Sequence, residues 1–176
     1  MNLIFRLIVT LIRAACGPRM DLLAESRLPM RVWLNDVDLN WHMNNGRYLT
    51  LMDLGRVHLM GKAGVLKDAL FNRHWAPVVT NVAIRYRRSL APLQRFDLVT
   101  HVAGWDDKWF YLEQRFEIVD GDGAKKLAAA AFMRGSFRSA QGAVPTREVL
   151  RLAGKDNQIA PELSPALKAF AALELT

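Results

Sequence analysis

An α+β fold, with one long buried helix wrapped by an antiparallel sheet, is what this sequence predicts, on three observations. The stretch from Tyr48 to Met60 places Tyr48, Leu49, Leu51, Met52, Leu54, Val57, Leu59 and Met60 around most of a helical circumference. A helix apolar nearly all round is buried rather than laid on a surface. Four or five other segments read as long strands. Finally, 176 residues match one domain, for which about 150 is a soft prior. The sheet must therefore wrap around the helix, with a second subunit over an edge.

The elements follow in order. Residues 1–16 form the most apolar stretch, with Leu3, Ile4, Leu7, Ile8, Leu11, Ile12 and Ala15 on one helical stripe and Asn2, Arg6, Thr10 and Arg13 opposite. The stretch is too short and too charged for a spanning helix, and its arginines argue against a cleaved signal. It fits a helix packed on its own domain or a partner subunit, or one lying on a membrane surface with its arginines at the headgroups. Leu28 to Leu34 alternates as a first strand with Met30, Val32 and Leu34 on one face. Gly55 lets a neighbour approach the long helix closely, at about 1 kcal/mol of helix propensity. A short helix and loop cover Val65 to Trp75, and strands follow at Val78–Tyr86, Phe96–Ala103 and Phe110–Ile118. Asp120-Gly-Asp-Gly123 has the composition of a hairpin turn. Lys125 to Arg138 is expected to return as a strand despite the helix propensity of Ala128–Ala131, because small side chains suit a sheet closely covered by a helix. Thr146 is expected to cap a short helix ending at Gly154, and Ser164-Pro165 to start a last one. The expected organisation is an amphipathic N-terminal helix over 1–20, the α+β domain over 21–144 and a helical extension over 145–176.

Composition narrows the function. Half of the residues are apolar (51%) and 23% are charged, which excludes disorder and a disulfide scaffold. Cys16 is the one cysteine, so no intrachain disulfide forms. Twenty-four basic against 17 acidic residues give a net charge of +7, which favours anionic partners. The arginines are dispersed and no nucleic-acid module is present, so nucleic acid is not the expected partner. Neither His-Glu-x-x-His, paired cysteines, Gly-x-Gly-x-x-Gly nor a phosphate loop is found, so neither metal nor cofactor is expected. His58 reads as a core or interface histidine, and Asp53 with Arg56 as an ion pair along the helix.

The informative segment is Asp36-Val-Asp38-Leu-Asn40-Trp-His42-Met-Asn44-Asn45-Gly46-Arg-Tyr48, just before the buried helix. Part of it has an ordinary explanation: Asn44 or Asn45 caps a helix, Asp36 serves a turn, and acids suit a helix N-terminus. The rest has the makings of a site. A buried helix start offers unpaired N–H groups and partial positive charge to a carbonyl oxygen that becomes negative during attack. Asp38 supplies an attacking carboxylate or activates a water, and His42 positions that water or shuttles a proton. A thiol with a pKa near ~8.5 leaves without a strong acid, so thioester hydrolysis runs on few groups.

At Asp38-Leu-Asn40-Trp-His42-Met-Asn44-Asn45-Gly-Arg-Tyr48 the chain resembles the D-x-N-x-H-V/M-N-N-x-x-Y segment of hotdog-fold thioesterases, with the 4-hydroxybenzoyl-CoA thioesterase-like and acyl-ACP thioesterase-like groups nearest. The resemblance covers Leu28 to Arg138 and implies a single hotdog domain assembled as a homodimer or homotetramer. It implies an acyl-CoA thioesterase, or one taking acyl carrier protein substrates, with Asp38 as nucleophile or general base. Asn40 and His42 match the accompanying amide and imidazole, and Asn45 the helix-start N–H that polarises the carbonyl. Gly46 and Tyr48 are candidate substrate contacts beside them. From the residues alone, Arg85, Arg87 and Arg88 either form a solvated strand face or are candidates for the coenzyme's phosphates. The acyl-ACP enzymes join two hotdog repeats; this chain has length for one, so another subunit is expected to complete each site. The alternative expectation is a non-catalytic acyl-binding hotdog protein that also associates with a membrane, and the expected location is cytoplasmic, with residues 1–16 either packed on the protein or lying on a membrane surface.

Overall fold

The computed structural model describes residues 2–119 and 124–173. In chain order the elements are α1 (Asn2–Cys16), β1 (Ser26–Arg31), α2 (Asn45–Lys62), α3 (Val65–Lys67), β2 (Ala76–Tyr86), β3 (Arg95–Trp105), β4 (Phe110–Val119), β5 (Lys125–Ser139), β6 (Gly142–Val144), α4 (Thr146–Leu152) and α5 (Pro165–Ala171). All strand pairs are antiparallel, in the order β1-β3-β4-β5-β2, with β6 added to β5. The expected α+β architecture is what forms. The hairpin expected at residues 120–123 lies outside the described residues.

Helix α2 starts where the Asn44 side chain accepts the Gly46 N–H, and it stops before Gly64 (φ 77°). The sheet curls along its length. Tyr48, Leu51, Met52 and Leu54 pack with Leu28, Phe96, Leu98, Phe116 and the alanines of β5. Leu59 and Ala63 pack with Val102, Phe110, Leu112, Met133 and Phe137. Ala128, Ala129 and Ala131 form a strand because their small side chains let the helix sit close, so tertiary packing overrides their helix propensity.

A polar network runs through the centre. Gln114 is fully buried on β4; its Nε2 donates to the Met52 carbonyl (3.0 Å) and to Thr100 Oγ1 (2.9 Å), and its Oε1 accepts from Arg56 Nη1 (2.8 Å). Arg56 also pairs with Asp53, as the sequence suggested. Buried His58 is satisfied by Ser26 Oγ at 2.7 Å, and burial, ahead of Lys62 and Arg13, lowers its pKa.

Three expectations change. Strand β1 ends at Arg31, and Leu34 is exposed, because Trp33 to Asp36 curl into a turn held by the Asp36 side chain. Thr146 is the first residue of α4 rather than its cap, and its hydroxyl donates to the Asp106 carbonyl. Helix α1 packs on its own domain by its polar side: Arg6, Thr10 and Ala14 are buried, while Ile4, Ile8 and Ile12 face outward. At the other end of the sheet, β2 is exposed along most of its length and pairs only with β5 among the described strands.

Gly55 sits against the central network. A Cβ there would lie 2.6 Å from Thr100 Oγ1, 2.9 Å from Gln114 Nε2 and 2.9 Å from Leu98 Cδ2. Gly55→Ala is expected to destabilise the fold by about 1–3 kcal/mol in chemical denaturation, although alanine is the better helix former. An unchanged or raised midpoint would show that these groups give way freely.

Candidate active site

The site is built where the chain crosses from β1 to α2. Asp36, fully buried, accepts the Trp33 N–H (2.9 Å), Arg6 Nη2 from α1 (2.6 Å), and Arg47 Nε and Nη2 from the first turns of α2 (3.0 and 2.8 Å). Its backbone carbonyl takes the Asn44 N–H at 2.8 Å. Asp36 serves a turn, as expected, and also ties three segments together.

Beyond it Val37 bridges to Met43, and the Asp38 N–H donates to the His42 carbonyl at 2.9 Å. The reversal is completed by Trp41 at φ 56°, a left-handed conformation that costs a non-glycine residue roughly 1–2 kcal/mol. It leaves Leu39 and Trp41 99% and 71% exposed. Asp38 lies half-buried at the base of this loop. Its Oδ1 accepts the Asn40 N–H at 2.9 Å in an Asx turn, and no group among the described residues takes Oδ2.

The helix start divides its N–H groups. Asn44 Oδ1 takes the Gly46 N–H at 2.9 Å, while no acceptor among the described residues takes the Asn45 N–H. That free donor sits at the positive end of an 18-residue helix. The Asn45 carbonyl accepts from the Tyr86 hydroxyl at 3.1 Å, which draws the end of β2 over the helix start. Arg87 and Arg88 then donate their backbone N–H groups to the Ala128 carbonyl, at 2.7 and 3.0 Å.

A groove of about 330 Å³ results. Its lining comes from the crossing loop (Asp38, Asn40, His42 and Met43), the start of α2 (Asn45 and Tyr48) and the end of β2 with the residues after it (Tyr86, Arg87, Arg88 and Ser89). Asp38 is its only acid, and no carboxylate among the described residues pairs with Arg87 or Arg88. The Tyr48 ring packs edge-on against Tyr86 and Phe116; burial, then Tyr86, pushes its hydroxyl up to about 12, so it stays a proton donor. The structure thus brings together Asp38, Asn40, His42, Asn45, Tyr48, Arg87 and Arg88.

Two candidates lie outside the groove. The Gly46 N–H is occupied by the cap. Arg85 precedes Tyr86 on β2, and successive strand residues face opposite sides, so Tyr86 turns to the helix start and Arg85 away from it. Tyr86 and Ser89 were missed. Tyr86 stands inside the Arg85–Arg88 run, and an aromatic between arginines was the available signal. A separate apolar cavity of about 260 Å³ lies between the second half of α2 (Val57, Met60) and strands β2 and β5 (Val78, Phe137), with Asp53 and Arg56 on its wall.

A curled antiparallel sheet around one long helix, with an open groove at the helix start, defines a hotdog fold of the thioesterase type. Residues 32–169 match the family model described as Thioesterase-like superfamily, and the chain belongs to that superfamily. It is 41% identical over 129 residues to "Protein THEM6" of Danio rerio, covering 68% of this chain and 60% of that one. It is 24% identical over 130 residues to "Probable thioesterase YBR096W" of Saccharomyces cerevisiae, covering 73% and 55%. The chain therefore spans about three fifths or less of these relatives. Among solved structures, the 4-hydroxybenzoyl CoA thioesterase of Pseudomonas sp. strain CBS-3 superposes with a TM-score of 0.65 at 13% identity, over 73% of this chain and 98% of that one. The likeness at that identity concerns the fold.

Asp36→Asn is expected to lower stability by about 3–5 kcal/mol in denaturant unfolding, because it leaves two arginines facing a buried neutral amide. An unfolding midpoint equal to wild type would show that neither arginine depends on it.

Proposed function

We propose that the chain is an acyl-CoA thioesterase, hydrolysing a thioester to free acid and CoA thiol. One observation carries this reading: a carboxylate with a free oxygen, Asp38, and a residue with an uncommitted helix-start N–H, Asn45, line one groove together with Arg87 and Arg88. As general base, Asp38 takes a proton from water, and the hydroxide adds to the thioester carbon. The oxygen of the tetrahedral intermediate is held by the Asn45 N–H, where a preorganised donor stabilises developing charge. The C–S bond then breaks, and the thiolate leaves and is protonated from solvent. As nucleophile, Asp38 attacks the carbon itself, the thiolate leaves, and water opens the resulting anhydride. His42 and Asn40 border the water's approach, and Arg87 and Arg88 are unpaired cations for the coenzyme's phosphates.

A second reading, acyl binding without turnover, is favoured by one feature. The Asp38, Asn40 and His42 side chains make no hydrogen bond to one another among the described residues, and Oδ1 of Asp38 is engaged in its own turn. The two readings part on Asp38→Asn in a thiol-release assay over acyl-CoAs of graded length. Thioesterase action predicts a kcat lowered by about 100-fold or more with the fold intact, since positioned acid–base groups contribute that much. Asn45→Ala is expected to do less, because its donor is backbone, and Arg87→Ala with Arg88→Ala to raise KM chiefly. Binding of acyl-CoA with no thiol release by the wild type would establish the second reading.

We further propose a homodimer or homotetramer assembled through the open edge of β2. Val79 and Val82 are exposed there, and Leu49 and Asp53 on the adjoining helix are uncovered. Light scattering is expected to give two or four times 19.9 kDa. Val79→Lys with Val82→Lys is expected to give single chains; a monomeric wild type would refute the assembly.

A further inference from the structure

Helix α1 is turned the unusual way round. Its polar side meets the domain: besides its bond to Asp36, Arg6 donates to the Arg31 carbonyl (3.0 Å), Arg13 donates to the Pro29 carbonyl (2.9 Å), and Thr10 and Ala14 are buried. Its apolar side faces out, with Ile4 64%, Phe5 55%, Ile8 50% and Ile12 56% exposed. A helix held so firmly by its polar residues cannot roll over to hide that stripe without breaking a buried ion pair. The patch continues onto the next loop, where the Phe5 and Trp33 rings lie 6.0 Å apart and Leu34 is exposed.

Beside this stripe, between α1, β1 and the start of β3, runs an open groove of about 720 Å³. Arg6, Arg13, Arg31 and Arg95 line it against one acid, Asp97, which faces Arg27 at 3.9 Å. No carboxylate among the described residues pairs with Arg13, Arg31 or Arg95. Buried Arg6 has a nitrogen, Nη1, without a partner.

We propose that α1 and this groove form a docking face for an anionic bilayer surface, in which Ile4, Phe5, Ile8, Ile12 and Trp33 enter the acyl layer and Arg13, Arg31 and Arg95 meet lipid phosphates. Apolar side chains beside unpaired cations match the two layers of such a surface, hydrocarbon and negative headgroup. The mode is lateral rather than spanning. A helix of 15 residues reaches ~22 Å against a hydrocarbon core of ~30 Å, and no described helix is long and apolar enough to cross a membrane. A second copy of the chain is the poorer occupant. Two-fold packing would bring the same arginines against themselves, and the open sheet edge at β2 lies at the opposite end of the sheet from β1. The proposal is independent of hydrolysis.

The test is flotation of the full chain with vesicles of phosphatidylcholine alone and with part of it replaced by phosphatidylglycerol, at low and high salt. Expected is binding to the anionic vesicles that weakens with salt, with little binding to phosphatidylcholine. Arg31→Ala with Arg95→Ala should weaken anionic binding roughly 25-fold, and Ile8→Gln with Ile12→Gln by about 100-fold or more. All four side chains are exposed, so circular dichroism and melting temperature should match wild type. No binding to anionic vesicles at low salt, or variants that float like wild type, would overturn the proposal. So would a wild-type oligomer that Ile8→Gln with Ile12→Gln dissociates, since a second copy would then be the occupant.

Discussion

The Asp36 carboxylate stands where water does not reach, and three parts of the chain are arranged to answer it. Arg6 comes from the first helix, Arg47 from the long helix, and the Trp33 N–H from the intervening turn. A buried charged group of this kind adds little net stability, because desolvation offsets most of the attraction. Its effect is on arrangement. With Asp36 in place, the turn cannot continue β1, the loop from Val37 to Met43 must double back, and the first turn of α2 is held at a set distance from it. The position of the candidate acid, two residues on, follows from that.

The site depends as much on which backbone groups are occupied as on which side chains are present. A helix begins with several N–H groups that have no partner within it. Here the Asn44 cap takes the second, and the first, on Asn45, stays open to the groove. The same economy governs Asp38, one oxygen oriented by its Asx turn and the other free. Tyr86 holds the end of β2 to the helix start, so two arginines share a groove with an acid that no element of local sequence connects to them.

The fold tolerates one polar seam in its core for a related reason. Gln114, Thr100 and Arg56 satisfy one another and the Met52 carbonyl, and Gly55 leaves the room they need. Gln114 is the polar member of the inward register of β4, between Leu112 and Phe116, so alternation places it inside while its residue type argues for solvent. The helix laid across that face covers it together with Leu112 and Phe116, and the Met52 carbonyl, Thr100 and Arg56 satisfy its amide.

By itself the sequence determined the long helix, the alternating strands, a cap at Asn44 or Asn45 and the segment that holds Asp38. Each of these rests on a local cause: a periodicity, a capping side chain or a dense cluster of functional groups within a few residues. Tertiary structure alone decided the rest. It ended β1 early, turned the stripe of α1 outward, sent Arg85 away from the groove while keeping Arg87 and Arg88, and recruited Tyr86. Those outcomes turn on contacts between residues far apart in the chain, where one buried carboxylate or one hydroxyl–carbonyl bond selects a face, and no window of neighbouring residues contains both partners.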